Sequence, residues 1–162
     1  LGTRSYPGRR AVATAVTAFW FAKSFLSVFN KEIDLLDDVI KVMLTTNTYT
    51  PNQDTHDYKD DVTNEVVGTG YVATGDPLAA DVFTNTLNVL TYDATDTTWA
   101  TSTITARRAV IYDSTPASDA TRPLILWVDF GADVSSSAGN FTLQWNASGI
   151  FTITPSDATG FP

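Results

Sequence analysis

His56 is the single histidine of the chain, and four carboxylates stand close to it, at Asp54, Asp57, Asp60 and Asp61. Residues of these types can do two kinds of chemistry. An imidazole held by a carboxylate is the base of a hydrolytic triad, and a run of carboxylates can supply some of the roughly six to eight oxygen ligands that Ca²⁺ requires. Neither pattern is complete. No Gly-x-Ser-x-Gly nucleophile elbow occurs, and the carboxylate spacing lacks the Asp-x-Asp-x-Asp-Gly run of an EF-hand loop. The segment Asn52 to Asp61 therefore reads as a solvated acidic loop carrying His56, with a calcium site at Asp54, Asp57, Asp60 and Asp61 as the alternative. No catalytic residue and no cofactor is assigned.

Other chemically capable residues have simpler readings. Asp37 with Asp38 and Asp93 with Asp96 are turn and cap residues by type. A glycosidase needs two carboxylates across a cleft lined with aromatics, but Trp99, Trp127 and Trp145 fall on strand patterns and are expected in the core. Gly68-Thr69-Gly70 lacks the third glycine and the following helix of a dinucleotide site. Arg107 and Arg108 are neighbours within a strand pattern, so one is expected to face solvent or a partner and the other to be paired.

The elements that would position these residues are mostly strands. Thr makes up about one residue in six, and β-branched Thr suits a half-exposed strand better than a helix interior. Strand patterns run over Val39 to Thr45, Glu65 to Thr74, Phe83 to Tyr92, Trp99 to Thr105, Ala106 to Tyr112, Pro123 to Phe130, Phe141 to Trp145 and Ile150 to Thr154. Pro123 to Phe130 is apolar almost throughout, as expected at the centre of a sandwich. Tyr49 to Asn64 is expected to be a projecting loop, and Asp113 to Arg122 the loop of a hairpin. The pattern predicts a mainly β protein, an antiparallel β-sandwich or barrel-like domain with an N-terminal arm and a short helix.

That helix is predicted from Ala15, Phe19, Ala22, Leu26 and Phe29, which follow helical spacing and end near Asn30. Leu1 to Arg10 reads as an irregular arm that orders only against something else. The first residue, Leu1, is not Met, which points to processing or trimming. The charge divides sharply: residues up to Lys31 carry five basic and no acidic side chains, and those from Glu32 onward carry five basic and 18 acidic ones, a net of −13. Residues 1–31 are accordingly expected to form a basic arm with a short helix, and residues 32–162 an acidic β-sandwich domain.

Composition narrows function further. A net charge of −8 argues against a general nucleic-acid binder. The chain has no cysteine, which removes disulfides and thiolate chemistry. The apolar stretch Ala11 to Phe29 is interrupted by Lys23 and Ser24 short of the roughly 20 apolar residues of a membrane span, so no membrane insertion is expected. The arm is expected to dock on a neighbouring protein through Arg4, Arg9, Arg10, Phe19, Trp20, Phe21, Lys23 and Phe25, since an arm that orders on binding can lock subunits together.

Several stretches, taken in order, resemble small virion structural proteins of tailed bacteriophages. They are Asn30-Lys31-Glu32-Ile33-Asp34, Ile40-Lys41-Val42-Met43-Leu44, Tyr49-Thr50-Pro51-Asn52-Gln53-Asp54-Thr55-His56 and Val67-Gly68-Thr69-Gly70-Tyr71. Trp99 to Arg107, Ala109-Val110-Ile111-Tyr112-Asp113, Pro123-Leu124-Ile125, Asp129-Phe130-Gly131, Phe141-Thr142-Leu143-Gln144-Trp145 and Gly149-Ile150-Phe151 complete the set. The resemblance implies a β-rich head decoration or cement protein on the capsid surface, with the major capsid protein and further copies of itself as partners. A tail or head-fibre component, or a carbohydrate- or receptor-binding module of the virion, is the alternative. The resemblance carries no catalytic residue, so an enzyme is not expected.

Overall fold

In a computed structural model, which describes residues 8–15 and 17–155, the chain is mainly β. It runs β1 (Ala11–Thr14), β2 (Thr17–Trp20), α1 (Lys23–Phe29), β3 (Ile40–Thr45), β4 (Asp76–Pro77), β5 (Val82–Thr86) and β6 (Val89–Asp93). It continues through β7 (Thr97–Ser102), β8 (Thr105–Asp113), β9 (Leu124–Ser135), β10 (Gly139–Gln144) and β11 (Phe151–Ile153), with short 3₁₀ turns at Lys59–Asp61 and Asp119–Thr121. These strands make three sheets, ordered β2-β9-β8-β3-β4, β1-β10-β7 and β11-β6-β5. Every pairing is antiparallel except that of β1 with β10.

Side-chain alternation in the five-stranded sheet divides the interior into two cores. Ile40, Val42 and Leu44 of β3, Ala109 and Ile111 of β8, and Leu126, Val128 and Phe130 of β9 face the main core. There they meet Ala11 and Ala13 of β1, Trp99 of β7, and Phe141 and Leu143 of β10. The opposite face presents Met43, Val110, Tyr112, Leu124 and Trp127, covered by Phe21 and Tyr49. Alternation along β9 would put Ile125 beside Trp127. A register shift opposite Ile111 and Tyr112 leaves Ile125 as an extra residue in β9, and it turns into the main core instead.

The strands predicted at Val39 to Thr45, Ala106 to Tyr112, Pro123 to Phe130 and Phe141 to Trp145 are present, and β8 with β9 forms the expected long-looped hairpin. Four expectations need correction. Thr17 to Trp20 is not helical: Thr17, Ala18, Phe19 and Trp20 pair with Asp129, Val128, Trp127 and Leu126 of β9. Helical spacing in that stretch is outweighed by period-2 packing, with Phe19 and Phe21 on Trp127 and Trp20 on Phe151.

The single strand expected over Phe83 to Tyr92 is a hairpin, because Leu87 and Asn88 both adopt positive φ (51° and 65°) and form a two-residue turn. Glu65 to Thr74 is not a strand but a loop touching the sheets at two isolated bridges, Thr45 with Glu65 and Thr69 with Thr103. Finally, the described residues before Lys31 are not a separate arm. Arg9 exchanges backbone hydrogen bonds with Ser137, and Ala11, Ala13 and Phe21 are core residues. No helix among the described residues is long and apolar enough to cross a membrane.

Gly75 shows how closely the loop before β4 approaches the sheet. Its φ is +73°, and a Cβ there would stand 2.0 Å from the Val42 carbonyl oxygen, so both conformation and space require glycine. Gly75→Ala is expected to cost on the order of 3 kcal/mol, read as a lowered urea midpoint with an unchanged m-value.

Candidate functional site

The acidic loop does not project. Tyr49 is buried beneath it in the second core, and its hydroxyl lies 3.0 Å from His56 Nδ1, with the rings stacked at 5.7 Å. Burial, followed by the nearby Asp61 charge, pushes the Tyr49 hydroxyl well above the ordinary tyrosine range. His56 is therefore a packing and hydrogen-bonding partner of Tyr49 at this position.

The calcium alternative fails on geometry. Asp61 Oδ2 accepts the amides of Asp57 (2.8 Å) and Tyr58 (3.1 Å) and so caps the Lys59–Asp61 turn. Asp57 lies toward Lys23, 4.0 Å away. Asp54 and Asp60 are exposed. Among the described residues no group of three or more acidic or histidine side chains is placed to hold a metal ion.

The same loop is tied to the Asp113 to Arg122 loop. Buried Lys59 meets Asp119 at 2.7 Å, and Arg122 meets the other oxygen of Asp119 at 2.6 Å. The hydrogen bond from Lys59 is the main reason the Asp119 carboxyl is held below the ordinary range. Arg122 Nε also donates to the carbonyls of Pro116 (2.8 Å) and Ser114 (3.2 Å). These two loops are a covering layer over the sheet, and Tyr49 is not available as a sugar platform.

Arg107 and Arg108 do not divide between two faces. Between Ala106 and Arg108 the register of β9 shifts from Val134 to Asp129, with Gly131 at φ +76° inside the bulge. Both arginines then reach Asp129, Arg107 Nε at 2.7 Å from Oδ1 and Arg108 Nε at 3.0 Å from Oδ2. Arg108 also donates to the Tyr49 carbonyl at 2.6 Å, anchoring the covering loop. Burial would push the Asp129 carboxyl up. The Arg107 hydrogen bond, the Gly131 amide and the two guanidinium charges outweigh burial and hold it below the ordinary range.

The eight residues expected at an interface are scattered. Arg4 lies outside the described residues. Phe21 is fully buried and cannot serve, which corrects its assignment. Phe19 stacks on Trp127 at 5.1 Å and remains 44% exposed at the margin of the second core. Arg9 and Arg10 are exposed beside the Ser137 bridge. Lys23 is engaged by the Tyr58 hydroxyl and by Asp57, and so is not a free rim charge.

Trp20 and Phe25 do come together, 4.8 Å apart between ring centroids, at the head of an aromatic row that continues through Phe151, Tyr92 and Phe83. This row marks a groove of about 370 Å³ between α1 and the β11-β6-β5 sheet, with Val28, Phe29, Leu35, Leu90 and Ile153 among its walls. The helix that forms one wall is inverted. Its serines point inward: Ser24 donates to the Phe21 carbonyl (2.7 Å) and Ser27 to Glu32 (2.8 Å), and both are buried. Its apolar residues point outward, with Phe29 83% and Leu26 55% exposed. Helical spacing at Leu26 and Phe29 was legible in the sequence. The burial of Ser24 and Ser27 was not, because it depends on which face the sheets leave open.

Comparison with known proteins finds no match: no family model, no curated protein and no solved structure is similar to the chain. What the chain does must therefore be read from its own sequence and surface. For the Asp129 cluster the sign is clear. A carboxyl held low in the fold contributes stability that is complete above the unfolded value, about 3.9, and is lost as pH falls through the folded value. Asp129→Asn should cost about 2 kcal/mol at pH 7, and the difference from the unsubstituted protein should narrow in urea titrations as pH falls below the unfolded value, about 3.9.

Proposed function

We propose that the protein is a structural component of a virion, a decoration or cement protein that sits on the capsid surface against the major capsid protein and further copies of itself. The observation that carries this reading is the inverted helix. Globular domains bury the apolar face of a helix and wet its serines, whereas α1 buries Ser24 and Ser27 and exposes Phe25, Leu26, Val28 and Phe29. An exposed apolar patch joined to a groove marks a contact surface. The resemblance of the ordered motifs to phage virion proteins supplies the partner, an apolar element of the protein shell beneath.

Surface chemistry favours docking over sugar recognition. A glycan site needs several convergent hydrogen-bonding groups beside its aromatics, and the groove walls offer mainly carbon. Covering one exposed Phe or Leu side chain contributes about 1.5–3 kcal/mol at most. One such contact is modest. Many copies on a symmetric lattice, each linked to its neighbours, convert modest contacts into firm retention.

Imaging of purified virions tests the reading, with ordered density for this chain expected on the head. The double variant Leu26→Asp, Phe29→Asp should lower occupancy on particles at least tenfold while leaving the urea midpoint of the free protein nearly unchanged, because both side chains are already exposed. Density confined to tail or fibres, or full occupancy by the double variant, would sink the capsid assignment.

A further inference from the structure

Asp113 ends β8 and is 1% exposed. Its Oδ1 accepts the Thr115 amide at 2.8 Å, but its Oδ2 is wholly buried and meets no donor. The nearest charge to raise it is another carboxyl, Asp38, which the chain places one residue before Val39, the residue bonded to Ser114 and Thr115.

The backbone holds the two together. Ile40 lies opposite Asp113 in the β3–β8 register. The Ser114 amide (2.9 Å) and hydroxyl (2.8 Å) both donate to the Val39 carbonyl. The Val39 amide donates to the Thr115 hydroxyl at 2.8 Å, and Asp38 Oδ2 accepts the Asp34 amide at 2.6 Å.

No described cation is placed to neutralise the pair. Arg122, on the neighbouring loop, is committed to Ser114, Pro116 and Asp119. Lys41 of β3 donates to the Thr74 hydroxyl. Asp34 and Asp37, on the turn that carries Asp38, add only negative charge.

Asp113 is buried and Asp38 half-buried, so ionising Asp113 beside the Asp38 charge is costly. A positive species at Asp113 Oδ2 would remove that cost. A divalent cation needs about six oxygens and room for its waters, but Asp113 Oδ2 has no exposed surface to receive one. A proton needs neither.

We propose that Asp38 and Asp113 share one proton, with Asp113 Oδ2–H donating to the Asp38 carboxylate, and that this proton latches the Asp34–Asp38 turn to the end of β8. The turn carries Leu35, a wall residue of the apolar groove that also packs on the main core. Opening the latch would therefore loosen one side of that groove. Burial first, and then the Asp38 charge, raise the Asp113 carboxyl above its ordinary value, against the opposing pull of the Thr115 hydrogen bonds. The sign is opposite to that of Asp129. Stabilisation from the latch is complete below the unfolded value, about 3.9, and is lost as pH rises through the folded value.

The test uses the whole chain, with carboxyl ¹³C titration and urea unfolding between pH 3.5 and 8. The Asp113 carboxyl should titrate above the ordinary aspartate range and move down toward it in Asp38→Asn. Asp113→Asn places an amide where the shared proton would be. It should raise the urea midpoint at pH 8 and leave it unchanged at pH 3.5. An Asp113 carboxyl that titrates in the ordinary range, or a midpoint difference independent of pH, overturns the proposal. So does a wild-type midpoint raised by millimolar Ca²⁺ or Mg²⁺ and unresponsive in Asp113→Asn, since the shared ion would then be a metal.

Discussion

β9 carries apolar side chains on both of its faces, and so do β3 and β8 beside it. Burying both faces of one sheet is the constraint from which the rest of the molecule follows. One face is covered by a layer of strands, as in any sandwich. The other has no second sheet among the described residues and is covered by chain that runs between strands, chiefly Phe21 and Tyr49 with Val62 packed against them. That cover must be fastened, because a loop contributes little apolar area of its own. Its fastenings are polar: Arg108 on the Tyr49 carbonyl, Lys59 and Arg122 on Asp119, and the amide of Leu124 on the Asp57 carbonyl at 3.0 Å. Within the acidic loop itself Asp61 caps the turn and Asp57 lies toward Lys23, while Asp54 and Asp60 remain exposed.

Strands whose faces differ in polarity, or that are apolar throughout, were legible in the sequence, since period-2 patterning and β-branched composition report burial directly. Pro123 to Phe130 is such a case. What escaped was set by partners distant in sequence. Thr17 to Trp20 has helical spacing and becomes a strand because an unpaired edge of β9 lies beside it. Leu87 takes a positive φ that its type disfavours, and the signal for the hairpin is only Asn88 beside it. The sharing of Asp129 by Arg107 and Arg108 depends on a bulge in β9 three residues deep, which no local pattern announces. Of the residues expected at an interface, Trp20 at the end of β2 and Phe25 in the first turns of α1 meet in the groove because the short link between the two elements folds the helix back beside the strand. Phe21 is lost to the core because strand alternation turns it the other way.

Inversion of α1 needs an explanation in energy as well as in function. A helix of seven residues is far below the length at which helices are stable alone, and α1 has no side-chain cap at its N-terminus. Its outward apolar face adds little to the stability of the free protein. What holds it is the inward pair of serines, the packing of Phe25 on Trp20, and the strand that leads into it. Stability and contact surface are thus separated on one short element. Substitutions on the outer face can change binding with little effect on folding, while Ser24 and Ser27 have the reverse assignment.

Charge completes the arrangement. An exposed aromatic face invites indiscriminate association, and a net charge of −8 opposes it by keeping copies apart in solution. The acidic residues, however, all follow Lys31 in the chain, and exposed Lys31 borders the apolar wall beside Val28 and Leu36. Asp34 lines the same wall, so the apolar face is flanked by one charge of each sign. Asp113 and Asp38 stand at the far side of the same turn that lines this wall. A proton between them removes one negative charge where the turn meets the sheet, so the same acidity that would weaken repulsion between copies would also fix the groove they compete to cover.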